Sequence, residues 1–90
     1  MESIIQIIVY GKVQGVFFRK YTYETAVQLG IKGYVRNQSD GSVLILAQGE
    51  NPLLKKLIDW TKTGSPKSKV DRIEWIEKGS GNEFKNFEIR

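Results

Sequence analysis

The 90-residue sequence contains neither cysteine nor histidine. Without them the chain cannot form disulfide bonds, thiolate nucleophiles, zinc sites of the Cys/His type, Ser-His-Asp triads or phosphohistidine. No segment approaches the roughly 20 apolar residues that span a bilayer. The apolar run near the N-terminus follows Glu2 and lacks both a basic region and a small-residue cleavage site, so we expect no signal peptide. We therefore expect a cytoplasmic protein with no membrane partner.

Acidic residues are few and scattered along the chain. Ten carboxylates stand against fourteen basic side chains, which gives a net charge of +4. Asp40, Asp59 and Asp71 are isolated, and no carboxylates cluster as in Mg²⁺ or Ca²⁺ sites. We therefore expect no metal and no cofactor. The basic excess favours anionic partners, although such an excess is more commonly only a solvated basic face.

The residues that are present are typical of a small globular domain. Hydrophobic residues make up 40% and charged residues 27%, far from the composition of disordered chains. Two Trp, four Phe and four Tyr supply large side chains for a core that no disulfide supports. Ninety residues are too few for two hydrophobic cores. We predict a single domain over residues 1–90, and we expect it to be a monomer.

The first half of the chain predicts one strand, one helix and a hairpin. A β-branched run over residues 4–10 indicates a buried strand. A helix is predicted over 19–29, with Gly30 closing it and one face formed by Phe18, Thr22, Ala26 and Leu29. Two strands are predicted over 31–38 and 42–48, because Ser39-Asp40-Gly41 suits a hairpin turn.

The second half predicts another helix and two strands. We expect Asn51 to be the N-cap of the helix, with Pro52 at its first position. Its apolar face consists of Leu54, Leu57, Ile58 and Thr61, and Lys55, Lys56, Asp59 and Lys62 should face the solvent. Residues 69–77 indicate a fourth strand, and a short last strand carries Phe87 and Ile89.

The element order β-α-β-β-α-β, with a small extra strand, predicts the fold class. It is the order of the ferredoxin-like α/β sandwich, an α+β fold in which two helices pack on one face of a mainly antiparallel sheet. The fold alone does not decide the function.

The loop from Gly11 to Arg19 is the most informative segment for function. Its glycines permit a backbone with positive φ, and its run into a helix aims unpaired N–H groups at one point, which favours an anion. Arg19 and Lys20 fall in the first helical turn, where the helix dipole disfavours cations, and no acidic residue occurs between Glu2 and Glu24. An external phosphate or carboxylate would compensate both charges. The alternative is a plain strand-to-helix turn with a hydrated arginine.

Two motifs connect this loop to a known family. The segment from Gly11 to Thr22 reads Gly-x-Val-Gln-Gly-Val-Phe-Phe-Arg-x-x-Thr, and Gly33-Tyr34-Val35-Arg36-Asn37 follows it. With both motifs the chain resembles the acylphosphatase family. The resemblance extends over essentially the whole chain, since four further places match: Asp40-Gly41, Gly49-Glu50, Gly64-Ser65-Pro66 and Phe87-x-Ile89.

The resemblance implies an enzyme that hydrolyses the carboxyl-phosphate anhydride of acyl phosphates without a metal. Arg19 would hold the phosphate and Asn37 would position the attacking water. Orthophosphate or sulfate should compete with the substrate. The main-chain amides of the loop can bind the remaining phosphate oxygens, and they belong to Gln14, Gly15, Val16, Phe17 and Phe18. Nothing in the sequence identifies the acyl group.

One departure from the family pattern concerns the surroundings of Asn37. Many members carry a hydroxyl residue directly after that asparagine and another at the start of the next strand, where this chain has Gln38 and Ser42. The first of these leaves the partner that would orient Asn37 undefined. Without the resemblance, Asn37 would equally be a strand-end residue that caps the hairpin.

Two other functions fit the same fold. An RNA-binding module would suit the basic balance and the aromatic residues, and Lys32-Gly33-Tyr34 begins like an RNP1 motif. Val35-Arg36-Asn37 then breaks that motif, so we expect no nucleic-acid partner. A non-catalytic phosphate sensor would bind orthophosphate without turnover.

Overall fold

A computed structural model describes residues 2–90. Its elements are β1 (Ser3–Lys12), α1 (Phe18–Leu29), β2 (Lys32–Asn37), β3 (Val43–Gly49), α2 (Asn51–Thr63), β4 (Lys69–Ser80) and β5 (Phe87–Ile89). This order agrees with the predicted one, and Gly30 ends α1 as expected. No helix of the described part is long and apolar enough to cross a membrane.

The five strands form one sheet in the order β4-β1-β3-β2-β5. Every neighbouring pair is antiparallel except β2 and β5, which run parallel. The two helices contact each other as well as the sheet, and the rings of Phe18 in α1 and Trp60 in α2 lie 5.4 Å apart. The prediction of a ferredoxin-like sandwich is thus confirmed.

The core lies between the helices and the two central strands. In β1 the side chains of Ile5, Ile7 and Val9 point toward the helices, as the twofold alternation of a strand requires. Their partners across the sheet, in the same order, are Ala47, Ile45 and Val43 of β3. The predicted apolar face of α2 is buried and its four charged residues are exposed. Packing of these faces fixes where the ends of β1, β2 and α1 lie.

The start of α2 differs from the prediction. The expectation that Asn51 caps the helix was wrong, because Asn51 is its first helical residue and Glu50 is the N-cap. The carbonyl oxygen of Glu50 accepts hydrogen bonds from the N–H groups of Leu53 and Leu54, both at 3.0 Å. The chain therefore turns one residue earlier, and no side chain caps the helix.

The hairpin between β2 and β3 is closed by its turn residues. The N–H of Gln38 donates to the carbonyl of Ser42 at 2.8 Å. The Asp40 carboxylate accepts hydrogen bonds from the hydroxyl and the N–H of Ser42, and these bonds hold the pKa of Asp40 below its usual value. The predicted Ser39-Asp40-Gly41 turn is confirmed by these contacts.

A buried glutamine holds the connection that leads into β5. The side-chain oxygen of Gln48 accepts hydrogen bonds from the N–H groups of Glu83 and Phe84, at 2.8 and 3.0 Å. Its amide nitrogen donates to the Glu2 carboxylate at 2.9 Å. Gln48 thereby ties residues 83–84 to β3, and β5 follows beside β2.

Gly33 in β2 generates a prediction about stability. Its φ is 135°, and a Cβ at this position would lie 1.8 Å from the carbonyl oxygen of Leu46. Because that oxygen belongs to a backbone that cannot move aside, Gly33→Ala should lower the free energy of unfolding by about 3 kcal/mol or more. Urea denaturation monitored by circular dichroism measures the change.

Gly79 is the matched control for this substitution. Its φ is 139°, yet among residues 2–90 no heavy atom beyond its two chain neighbours lies within 4 Å of a Cβ placed there. Gly79→Ala carries the conformational strain alone, which is about 1 kcal/mol. Equal losses in the two variants would mean that the contact with Leu46 does not limit position 33.

Candidate active site

A surface cleft of about 330 Å³ lies where the β1–α1 loop meets the end of β2. It contains Arg19 and Asn37, the two residues predicted to act together, and also Gly15, Phe17 and Phe18 of the loop. Val13 and Phe18 are buried side chains beneath it. The structure thus brings Arg19 at the start of α1 together with Asn37 at the end of β2, although most of α1 lies between them in the sequence.

Two predicted loop residues do not line the cleft. The Val16 side chain is buried, and its carbonyl oxygen accepts a hydrogen bond from the Ser65 hydroxyl at 2.8 Å. The Gln14 side chain turns toward the β2–β3 hairpin. Any part of these two residues in binding an anion would fall to their main-chain N–H groups.

The main-chain N–H groups at the start of α1 are unpaired. Among residues 2–90, no hydrogen bond is donated by the N–H groups of positions 14–20; the first one in the helix joins the N–H of Tyr21 to the carbonyl of Phe17 at 3.1 Å. No acidic residue lies in the first turn, and the N-cap residue Phe17 makes no side-chain cap. The site therefore offers several donors and the positive end of the helix dipole to an anion.

The backbone of the loop has the form of an anion-binding concavity. Gly15 and Phe17 have φ values of 74° and 61°, whereas φ of the intervening Val16 is not positive. When residues with positive and negative φ alternate, successive N–H groups point toward a common site. Phe17 is the one residue other than glycine with positive φ in the described chain, and such backbone strain in a bulky residue is concentrated at functional sites.

Arg19 supplies a cation beside these donors. Its Nη1 donates to the main-chain oxygen of Arg90 at 3.0 Å, which fixes the direction of the side chain. A guanidinium has five N–H donors, so the others can still form a bidentate contact with an anion. Lys20 also lines the cleft, and no carboxylate does.

Asn37 is the last residue of β2 and is exposed at the cleft. Its side chain makes no hydrogen bond with any other residue in the described range. The turn that follows is closed by Asp40 and Ser42 instead. The alternative that Asn37 caps the hairpin was therefore wrong, and its amide is free to bind a small molecule.

Gln38, which departs from the family pattern, is hydrogen-bonded to Ser42, which keeps the hydroxyl of that pattern. The amide nitrogen of Gln38 donates to the Ser42 hydroxyl oxygen at 2.9 Å. That hydroxyl in turn donates to the Asp40 carboxylate. This chain of contacts stiffens the turn after Asn37 without touching Asn37 itself.

Gln14 joins the loop to the hairpin, which sequence reasoning missed. Its amide nitrogen donates to the carbonyl oxygens of Gln38 and Ser42, at 2.8 and 2.9 Å. These two carbonyls flank the turn that directly follows Asn37. The only signal in the sequence was a polar side chain placed between Val13 and Gly15, which does not reveal a partner 24 residues away.

Comparisons with known proteins identify the family that the chain resembles. The family model described as Acylphosphatase matches residues 5–89. The chain is 49% identical over 85 residues to an acylphosphatase of Shewanella amazonensis, covering 94% of this chain and 93% of that one. It is 45% identical over 85 residues to an acylphosphatase of Pasteurella multocida, covering 94% of each. The crystal structure of acylphosphatase from Bacillus subtilis superposes with a TM-score of 0.94 at 39% identity, covering 100% of this chain and 99% of that one.

The Gln14 bridge generates a second prediction. Gln14→Met keeps the length of the side chain but removes both hydrogen bonds to the hairpin, so the free energy of unfolding should fall by about 1–2 kcal/mol. Urea denaturation provides the measurement. Gln28→Met is the control, because Gln28 is exposed on α1 and its side chain makes no hydrogen bond with another described residue. If both variants lose the same stability, the bridge contributes nothing.

Proposed function

The chain belongs to the acylphosphatase family, whose members hydrolyse acyl phosphates to a carboxylate and orthophosphate, and we propose how its residues divide this reaction. The β1–α1 loop and Arg19 bind the phosphoryl group, and Asn37 orients the water. A single domain, residues 1–90, carries both tasks. The observation that supports this division most strongly is the meeting of Arg19, Asn37 and the loop in one cleft.

The reaction requires little covalent chemistry from the protein. The oxygen of water forms a bond to phosphorus while the bond from phosphorus to the carboxyl oxygen breaks. The electron pair of that bond leaves with the carboxylate, and the proton of the water passes to a phosphate oxygen or to solvent. The conjugate acid of the leaving group has a pKa of about 4, so it departs without a general acid. A site without histidine or cysteine is sufficient for this step.

The phosphoryl group is held by positive charge and by N–H donors. The Arg19 guanidinium binds two phosphoryl oxygens as a fork, and the unpaired loop amides bind the others. The bond from Arg19 to the Arg90 main-chain oxygen places the guanidinium before the substrate arrives. These groups stabilise the charge that develops on the equatorial oxygens, and this stabilisation does not require a metal ion. Orthophosphate and sulfate carry similar oxygens and compete for the same donors.

Asn37 acts on the water and not on the phosphate. An amide cannot serve as a strong base, but its oxygen accepts a hydrogen bond from water and its NH₂ group donates one. The free amide of Asn37 stands beside Arg19 on the cleft wall, which supports this role. Placement of the water along the line of attack lowers the entropic part of the barrier.

The role of Arg19 is tested by Arg19→Gln. This variant should lower kcat/KM for benzoyl phosphate by at least about 100-fold, because the removed donors stabilise the transition state. It should also abolish the rise in melting temperature that orthophosphate causes in the wild type. Arg36→Gln is the control, since it removes the same charge from an exposed position of β2 that does not line the cleft. An undiminished thermal shift in Arg19→Gln would place the anion elsewhere.

The role of Asn37 is tested by Asn37→Ala. We expect kcat to fall by about 100-fold or more, because a misplaced water slows the chemical step. The inhibition constant of orthophosphate should stay within about twofold, because Asn37 does not contact the phosphate. Asn82→Ala, an exposed asparagine outside the cleft, is the control, and circular dichroism checks that both variants are folded. A folded Asn37→Ala enzyme with unchanged kcat would contradict the assignment.

A further inference from the structure

Two exposed apolar side chains line the cleft that also contains the charged residues Arg19 and Lys20. The Phe17 ring is 68% exposed and Ile89 is 47% exposed, and both line the cleft that contains Arg19 and Asn37. Phe17 comes from the loop, and Ile89 comes from β5. The two are called here the apolar rim.

Neither local conformation nor packing accounts for a phenylalanine at position 17. Its φ of 61° lies in the left-handed region, which bulky side chains disfavour and which asparagine or glycine adopts readily. Its ring makes no stacking contact with another aromatic ring in residues 2–90, unlike Phe18, Phe84 and Phe87. The large apolar side chain of Phe17 is therefore exposed to solvent at the cleft, on a backbone in a disfavoured conformation.

Ile89 is the last residue of β5 and lines the cleft beside the first turn of α1. Phe87 and Ile89 share one face of the strand, and Phe87 is buried against α1, with its ring 6.3 Å from that of Tyr23. Two residues further on, the same face is only partly covered, since Ile89 is about half exposed. Ile89 consequently faces the cleft, next to the Arg90 oxygen that receives the bond from Arg19.

A substrate held by its phosphate must place its acyl group near these side chains. The loop amides and Arg19 occupy the polar part of the cleft. Val13 and Phe18 are buried beneath it, so the apolar rim provides the exposed apolar surface of the described lining. We propose that Phe17 and Ile89 form an acyl subsite that favours acyl phosphates with aromatic or branched apolar acyl groups over short ones. This inference rests on the proposed function of the cleft.

The test compares substrates that differ only in the acyl group. Benzoyl phosphate, acetyl phosphate and succinyl phosphate are hydrolysed by the wild type and by each variant, and kcat/KM is corrected for spontaneous hydrolysis. We expect the wild-type ratio of benzoyl to acetyl phosphate to be at least about 10, since one well-packed aromatic contact accounts for that factor. The ratio should fall at least about threefold in Ile89→Ala and in Phe17→Asn. Asparagine tolerates the left-handed backbone, so Phe17→Asn removes the ring without adding strain.

A control variant and a binding measurement separate the subsite from general damage. Ile76 is 53% exposed on β4 and does not line the cleft, so Ile76→Ala should leave the ratio unchanged. Phenylphosphonate and methylphosphonate report binding without chemistry, and their inhibition constants should show the same preference and the same loss in both rim variants.

The outcomes distinguish a failure of the acyl subsite from a failure of the proposed function. Hydrolysis of all three substrates with one ratio in the wild type and the rim variants would overturn the acyl subsite and leave the proposed function standing. Preference for succinyl phosphate would also overturn it, since Lys20 would then select a charged acyl group. Failure to hydrolyse any of the three substrates would overturn the proposed function and the subsite together.

Discussion

The unpaired N–H groups at the start of α1 are the constraint on which the site depends. A helix normally receives a side-chain cap or an acidic residue in its first turn, and this one has neither. It carries Arg19 and Lys20 there instead, so local electrostatics disfavour this helix start until an anion is bound. In the proposed function, phosphate satisfies the donors and both cations at once. The helix start that local electrostatics disfavour is then the part of the fold assigned to substrate binding.

Such a loop keeps its shape only because other elements hold it. The Ser65 hydroxyl binds the carbonyl of Val16 from the end of α2, and Gln14 binds two carbonyls of the β2–β3 hairpin. Phe18, the first residue of α1, is buried and packs against Trp60 of α2. These contacts sustain the left-handed backbone of Phe17, which the chain would otherwise abandon. Donors that are fixed before binding stabilise a developing charge without reorganisation, which is the role proposed for the N–H groups of this loop.

The sequence predicted those features that depend on local periodicity, and it missed those that depend on contacts across the chain. Apolar spacing placed both helices, and Gly30 marked the end of α1 correctly. The last strands show the limit: β4 continues to Ser80, beyond the predicted residue 77, because its pairing with Ser3 and Ile4 of β1 sets its length. Gln14 and Gln48 gave no sequence signal, since an amide side chain has no periodic neighbour that reveals its partner. Arg19 was singled out by the loop glycines and by its charge at a helix start, Asn37 was found through the resemblance, and the roles of both remain predictions.

The sheet topology explains why the reaction can occur at this one edge. Because β1 and β2 are both antiparallel to β3, they run in the same direction, and β5 runs parallel to β2. The carboxyl ends of all three strands therefore meet at the same edge, where β1 leads into the loop and β2 ends at Asn37. Ile89 pairs with Val35, two residues before Asn37, so the side chains of Ile89 and Asn37, which carry the two proposed roles, lie on the same face of adjacent strands. An antiparallel β5 would carry its own carboxyl end to the opposite edge, away from Arg19 and Asn37.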